Sequence, residues 1–166
     1  PYLLDSELKK IFSKKNKYFG IAPGAGEKNK IWPLEKFIDV GKYYEKKQYK
    51  IVLYLGPDEI NIKKILSQQF PYAIFPEESI KNFSNIEIVM ASTKYLSCAL
   101  TNDSGISHML STKYCPIVKL FGPKNSSKFT PLNKNLITIS SNDYNTKDIT
   151  KITVHRVISE IDKLLN

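Results

Sequence analysis

At 166 residues and 19.0 kDa, with 42% hydrophobic and 25% charged residues, the chain has the size and composition of a single folded domain and is too apolar for a disordered segment. Its longest unbroken apolar run, Ile51 to Leu55, falls far short of the roughly 20 residues that span a bilayer, and no charged start leading into an apolar core marks a signal peptide. The net charge of +9 comes from 24 lysines and the single Arg156 against 16 acidic residues; the near absence of arginine's bidentate fork argues against nucleic acid as a partner.

That charge is uneven, since residues 1 to 50 hold 12 lysines and 6 acidic residues, net +6, and leave +3 for the rest. It reads either as a basic N-terminal face or as compositional bias shared with 20 isoleucines and 12 asparagines. Cys98 and Cys115 sit in apolar settings without metal-ligand spacing and are too few for a disulfide framework, so a reducing, cytoplasmic compartment is expected. The chain opens at Pro1 on a helical pattern, which suggests a piece of something longer.

Leu3, Leu4, Leu8, Ile11 and Phe12 recur at helical spacing, and the lysines from Lys14 to Lys17 follow as a loop. Tyr18 to Ala22 reads as a buried strand stopped by Pro23 and Gly24. From Pro33 an amphipathic helix begins, with Leu34, Phe37, Ile38, Gly41 and Tyr44 on one face. Lys50 to Leu55 is apolar enough for a strand covered on both faces. Asp58 is placed to cap a helix carrying Ile62, Ile65, Leu66 and Phe70, after which Tyr72 to Phe75 reads as another strand. Ser79 is placed to cap a helix burying Ile80, Phe83, Ile86, Val89 and Met90. Strands at Tyr95 to Leu100 and Pro116 to Phe121 flank a helix at Ser104 to Lys113, and Leu136 to Ile139 reads as an edge strand. Val154, Val157, Ile158, Ile161, Leu164 and Leu165 give a final helix. This alternation predicts one α/β domain over 1–166, a Rossmann-like three-layer α/β/α arrangement with a mostly parallel sheet.

Ligands in such sheets bind outside the carboxyl ends of the strands, and four loops fall at that edge: 23–33, 56–59, 101–108 and 121–131. In the first, Gly24, Ala25 and Gly26 allow close backbone approach to an anion and Lys30 adds a charge, although an ordinary glycine-rich turn looks the same; it is neither a P-loop nor G-x-G-x-x-G. Trp32 is expected to pack beneath this loop. In the third, Asp103, Ser104 and Gly105 lead from a strand into a helix, a setting suited to phosphate, with His108 one turn on. The structural alternatives, given less weight, are Asp103 as a helix cap and His108 as a core histidine. Glu59 is either a surface carboxylate or an acceptor for a ribose hydroxyl. Gly122 and Lys124 are candidate contacts on the last loop, with Lys128 near them. A hydrolase triad is rejected because Asp103 and Ser104 are adjacent and no G-x-S-x-G elbow exists, and two histidines make a poor metal site.

The ordered set of P-G-A-G with Lys30, Trp32 and Pro33, Gly56 with Glu59, N-D-S-G-x-x-H from Asn102 to His108, and Phe121 to Pro123 resembles the C-terminal half of glycosyltransferase family 9, the ADP-heptose:lipopolysaccharide heptosyltransferase-like enzymes. The resemblance implies one half of a GT-B fold, binding a nucleotide-sugar, by family default ADP-linked, for inverting transfer to a lipopolysaccharide or other glycan or lipid-linked acceptor. It implies that Ala25, Gly26 and Lys30 meet the diphosphate or sugar, Glu59 the ribose, and Asp103 to Gly105 with His108 the phosphates and sugar. No metal or other cofactor is implied. The family's general base lies on an N-terminal half that this chain lacks, so these residues alone are expected to be inactive. Lys124 departs from the family's small hydroxyl residue after Gly-Pro. The +9 charge suits the inner face of the cytoplasmic membrane. A stand-alone nucleotide-binding or regulatory module is the alternative, and a basic nucleic-acid-binding domain a weaker one.

Overall fold

The computed structural model describes residues 2–111, 115–123 and 135–166. Five parallel strands form its centre: β1 Lys17–Ala22, β2 Tyr49–Leu53, β3 Leu96–Asn102, β4 Ile117–Phe121 and β5 Leu136–Ser140. Their order is β2-β1-β3-β4-β5, so the chain starts at β1, steps one way to β2, then crosses back to build the other side. The reversal leaves a topological switch point between β1 and β3, where the connections from the two strands depart in opposite directions and a crevice opens. Ile21 lies level with Leu53 on one side and Leu100 on the other, so Ala22 and Asn102 bring their following loops to the same edge.

Alternation along the strands sends side chains into two cores. Phe19, Ile21, Ile51, Leu53, Cys98, Leu100, Val118 and Leu120 pack under α2 Leu34–Lys46, α3 Ile60–Gln69 and α7 Val154–Leu165. Tyr18, Val52, Ala99 and Ile117 face α1 Tyr2–Ile11, α5 Asn85–Ser92 and α6 Gly105–Leu110. The result is the expected α/β/α sandwich, with every strand pair parallel. Helix α2 starts where Pro33 fixes an extended entry, and its Tyr44 hydroxyl donates to Asp162 at 2.7 Å, tying α2 to α7. Gly41 leaves room for the Phe70 ring, which a Cβ there would meet at 2.5 Å.

Three local expectations are corrected. Tyr72 to Phe75 is not a strand: Ile74 alone bridges Val52, accepting from Leu53 N at 2.9 Å and donating to Ile51 O at 2.9 Å, between Pro71 and Pro76. Ser79 ends the single helical turn α4 Pro76–Ser79, while the next helix is capped by Ser84, whose hydroxyl accepts from Glu87 N at 3.2 Å as the Glu87 carboxylate accepts from Ser84 N at 2.9 Å. On that helix Ile88 and Val89 are buried, and Ile86 and Met90 face outward. Asp58 caps nothing, because Pro57–Glu59 forms a 3₁₀ turn that leads into α3 without a side-chain cap.

Candidate functional site at the switch point

After β1 the chain runs through Pro23 to Gly26, makes a 3₁₀ turn at Lys28–Lys30, and dives inward at Trp32. Asn102, the last residue of β3 and fully buried, holds this path. Its side-chain carbonyl accepts from Trp32 N at 3.1 Å and its amide donates to Pro23 O at 2.7 Å, closing the loop around one side chain. The Trp32 ring is fully buried as expected, donating from Nε1 to Ile152 O at 2.9 Å and meeting Phe37 edge-on. Gly122 abuts the carbonyl of Asn29 so closely that no Cβ fits, which packs the loop after β4 against the loop after β1.

That scaffold brings Lys30 beside Asp103: Nζ lies 3.6 Å from Oδ2 and 3.7 Å from a Glu27 carboxylate oxygen. Asp103, 8% exposed, takes its place by donating its backbone N–H to Leu120 O at 3.2 Å. It does not cap α6. Ser104 does, its hydroxyl accepting from Ser107 N at 3.2 Å while Ser104 N donates to Ser107 Oγ at 3.1 Å. Position alone leaves the amides of Gly105 and Ile106 in the first turn without an acceptor inside the helix. Gly26 and Gly105 both border open space, where an added Cβ would meet nothing within 4 Å. His108 is exposed on α6, which removes the core-histidine reading.

Glu59 joins the group from the β2 side. Its carboxylate fills the space where Gly24 lacks a side chain and also approaches Gly56, so neither glycine tolerates a Cβ with Glu59 in place. Oε2 is buried without a hydrogen-bond partner. Burial raises the carboxyl's pKa, opposed by the Gly56 backbone and reinforced by Asp58. Beside it opens a cavity of about 490 Å³ lined by Gly56, Ile60, Lys63, Phe75, Glu77 and Asn85, among others. Glu77 there is raised to about 7, by burial first, against the Leu55 backbone, with Glu59 and Glu78 adding repulsion.

Gly24, Ala25, Lys30, Glu59, Asp103, Ser104 and Gly122 therefore converge, while Lys124 and Lys128 lie outside the described residues. Two residues escaped the reading of the sequence. Asn102 stood in a motif without a role of its own, and Lys119 was passed over although a lysine between Val118 and Leu120 in a covered strand is itself a signal. It is 1% exposed, and burial pushes its pKa down while Asp103 pushes it up.

The arrangement offers one fixed cation, unpaired backbone donors beside open space, and a buried carboxylate acceptor, a set suited to an anionic ligand carrying hydroxyl groups. Residues 4–157 match the family model described as glycosyltransferase family 9 (heptosyltransferase). Among solved structures, the fold matches E. coli ADP-heptose lps heptosyltransferase II at TM-score 0.80 and 21% identity, over 99% of this chain and 52% of that one. The family 9 glycosyl transferase from Veillonella parvula matches at TM-score 0.81 and 23% identity, over 96% and 50%. The E. coli heptosyltransferase WaaC with ADP matches at 0.76 and 18%, over 98% and 48%. The chain thus spans about half the length of these structures and has the fold of one half of such GT-B enzymes. No curated protein sequence matches it.

Proposed function

The chain belongs to glycosyltransferase family 9, and on that premise we propose that it is the donor-binding half of a heptosyltransferase-like enzyme, holding an ADP-activated sugar for inverting transfer to a lipopolysaccharide or other glycan acceptor. The observation that carries the reading is the Lys30–Asp103 pair at the switch point, with Glu59 packed against Gly24 of the same loop and open space at Gly26 and Gly105. In this reading the diphosphate lies over the first loop and the start of α6. Lys30 and the Gly105 and Ile106 amides offset the charge that grows on the departing nucleoside diphosphate, and no metal is required. Asp103 accepts from sugar hydroxyls and His108 donates to phosphate, while Glu59 accepts from a ribose hydroxyl and the neighbouring cavity takes the nucleoside end. The general base and the acceptor site belong to the other half of a two-domain enzyme, which works at the inner face of the cytoplasmic membrane. Among the described residues no helix is long and apolar enough to cross a membrane, so contact with that face would be peripheral, through lysines.

Thermal unfolding with ADP, UDP, GDP, CMP or no ligand tests the reading. ADP at about 100 times its dissociation constant adds roughly 2.7 kcal/mol, a shift of several degrees for a domain of this size. Lys30→Ala removes a charge-assisted contact of about 1.5–3 kcal/mol and is expected to abolish most of the shift. Equal, absent or variant-independent shifts with all four nucleotides refute it.

A further inference from the structure

Lys119 has no role in the site as described above, yet among the described strand residues it is the one buried charged side chain, 1% exposed in the centre of β4. By alternation it shares the face of Ile117, toward α5 and α6, and its register partner on β3 is Thr101, whose hydroxyl is buried with no hydrogen-bond partner. Asp103 follows the end of β3, two residues beyond Thr101, its backbone N–H donating to Leu120 O beside Lys119 at 3.2 Å. The ammonium has no hydrogen-bonded partner among the described residues, and the charge it senses is that of Asp103. A lysine covered this deeply keeps its charge at a cost, which a neighbouring carboxylate lowers. Asp103 pairs instead with Lys30, 3.6 Å away.

We propose that Lys119 is a positioning residue for Asp103, a second cation to which the Asp103 carboxylate is handed over when a diphosphate draws Lys30 away. The proposal rests on the donor-site reading. Without Lys119, a diphosphate binding to Lys30 would strip a nearly buried carboxylate of its ion pair with Lys30 and set it against the incoming negative charge. With Lys119, Asp103 exchanges one lysine for another, and Lys30 is released to the ligand. The unpaired Thr101 hydroxyl, level with Lys119, supplies a polar lining for the displaced carboxylate.

The test is a double-mutant cycle read by calorimetric titration of ADP into the chain carrying Lys119→Met, Asp103→Asn, both, or neither, with each variant's fold verified by circular dichroism. Methionine keeps the length and packing of the stem without its charge; Lys119→Gln replaces it if that variant does not fold. Lys119→Met is expected to weaken ADP binding about tenfold when Asp103 is present and by less than about twofold in the Asp103→Asn background, because asparagine no longer competes for Lys30. A loss of equal size in both backgrounds means that Lys119 meets the ligand itself, and an unchanged affinity means that it is structural only; either overturns the hand-over while leaving the donor site standing. Failure of the unsubstituted chain to bind ADP overturns both readings together.

Discussion

Asn102 uses both ends of its amide, accepting from Trp32 N and donating to Pro23 O, and so closes the first loop from the end of β3. Replacement by alanine would leave a buried N–H and a buried C=O unpaired, each costing about 1–3 kcal/mol. Asn102→Ala is therefore expected to lose about 2–4 kcal/mol in urea unfolding and to release the loop that carries Lys30, so that ADP binding falls further than stability alone explains. Asn102→Asp keeps the acceptor for Trp32 but sets a carboxylate against the Pro23 carbonyl, and is expected to be at least as damaging. A variant that unfolds at the same urea concentration as the parent would show that the bridge carries little.

Among the elements, the strands were legible and the caps were not. Runs such as Lys50 to Leu55 are apolar on both faces because helices cover both, and that pattern needs no knowledge of partners. Tyr72 to Phe75 misled because its composition suits a strand, whereas Pro71 and Pro76 leave room for only one bridging residue and Tyr72 is 90% exposed. Both Ser79 and Ser84 precede apolar residues; only Ser84 has a glutamate three positions on, and that reciprocal pair decided the start of α5. Ser84→Ala is accordingly expected to lower stability by about 0.5–2 kcal/mol, while Ser79→Ala, which removes only an exposed hydrogen bond to Phe75 O, should stay within about 0.5 kcal/mol of the parent. Equal losses in the two variants would contradict the assignment. The site was legible as a set of loops at one edge, but not as pairs. Lys30 and Asp103 meet across more than seventy residues of chain, and Lys119 lies level with Thr101 in another strand, neither of which a local pattern encodes.

Over the whole molecule, the reversal of strand order creates the crevice, and the charges around it are not those of the surface. The chain carries +9 overall, yet the cavity beside Glu59 gathers Glu59, Glu77 and Glu78 against Lys63, which is ion-paired with Glu78. Glu77 is raised to about 7, chiefly by burial. Below about pH 4.5 the group is protonated in the folded and the unfolded chain and contributes nothing. Between that point and about 7 the unfolded chain ionises freely while the folded one keeps its proton, so stability falls as pH rises; above 7 the cost is complete and constant. Glu77→Gln removes this dependence. Because the group is partly exposed, solvent screens much of the shift, and the gain is expected on the order of 1 kcal/mol at pH 8, about 2–4 °C in melting temperature, vanishing toward pH 4. Melting curves of the variant and the parent across that range decide the matter: a difference that widens from pH 4.5 to 7 locates the strain at Glu77, whereas one that stays constant assigns it to packing.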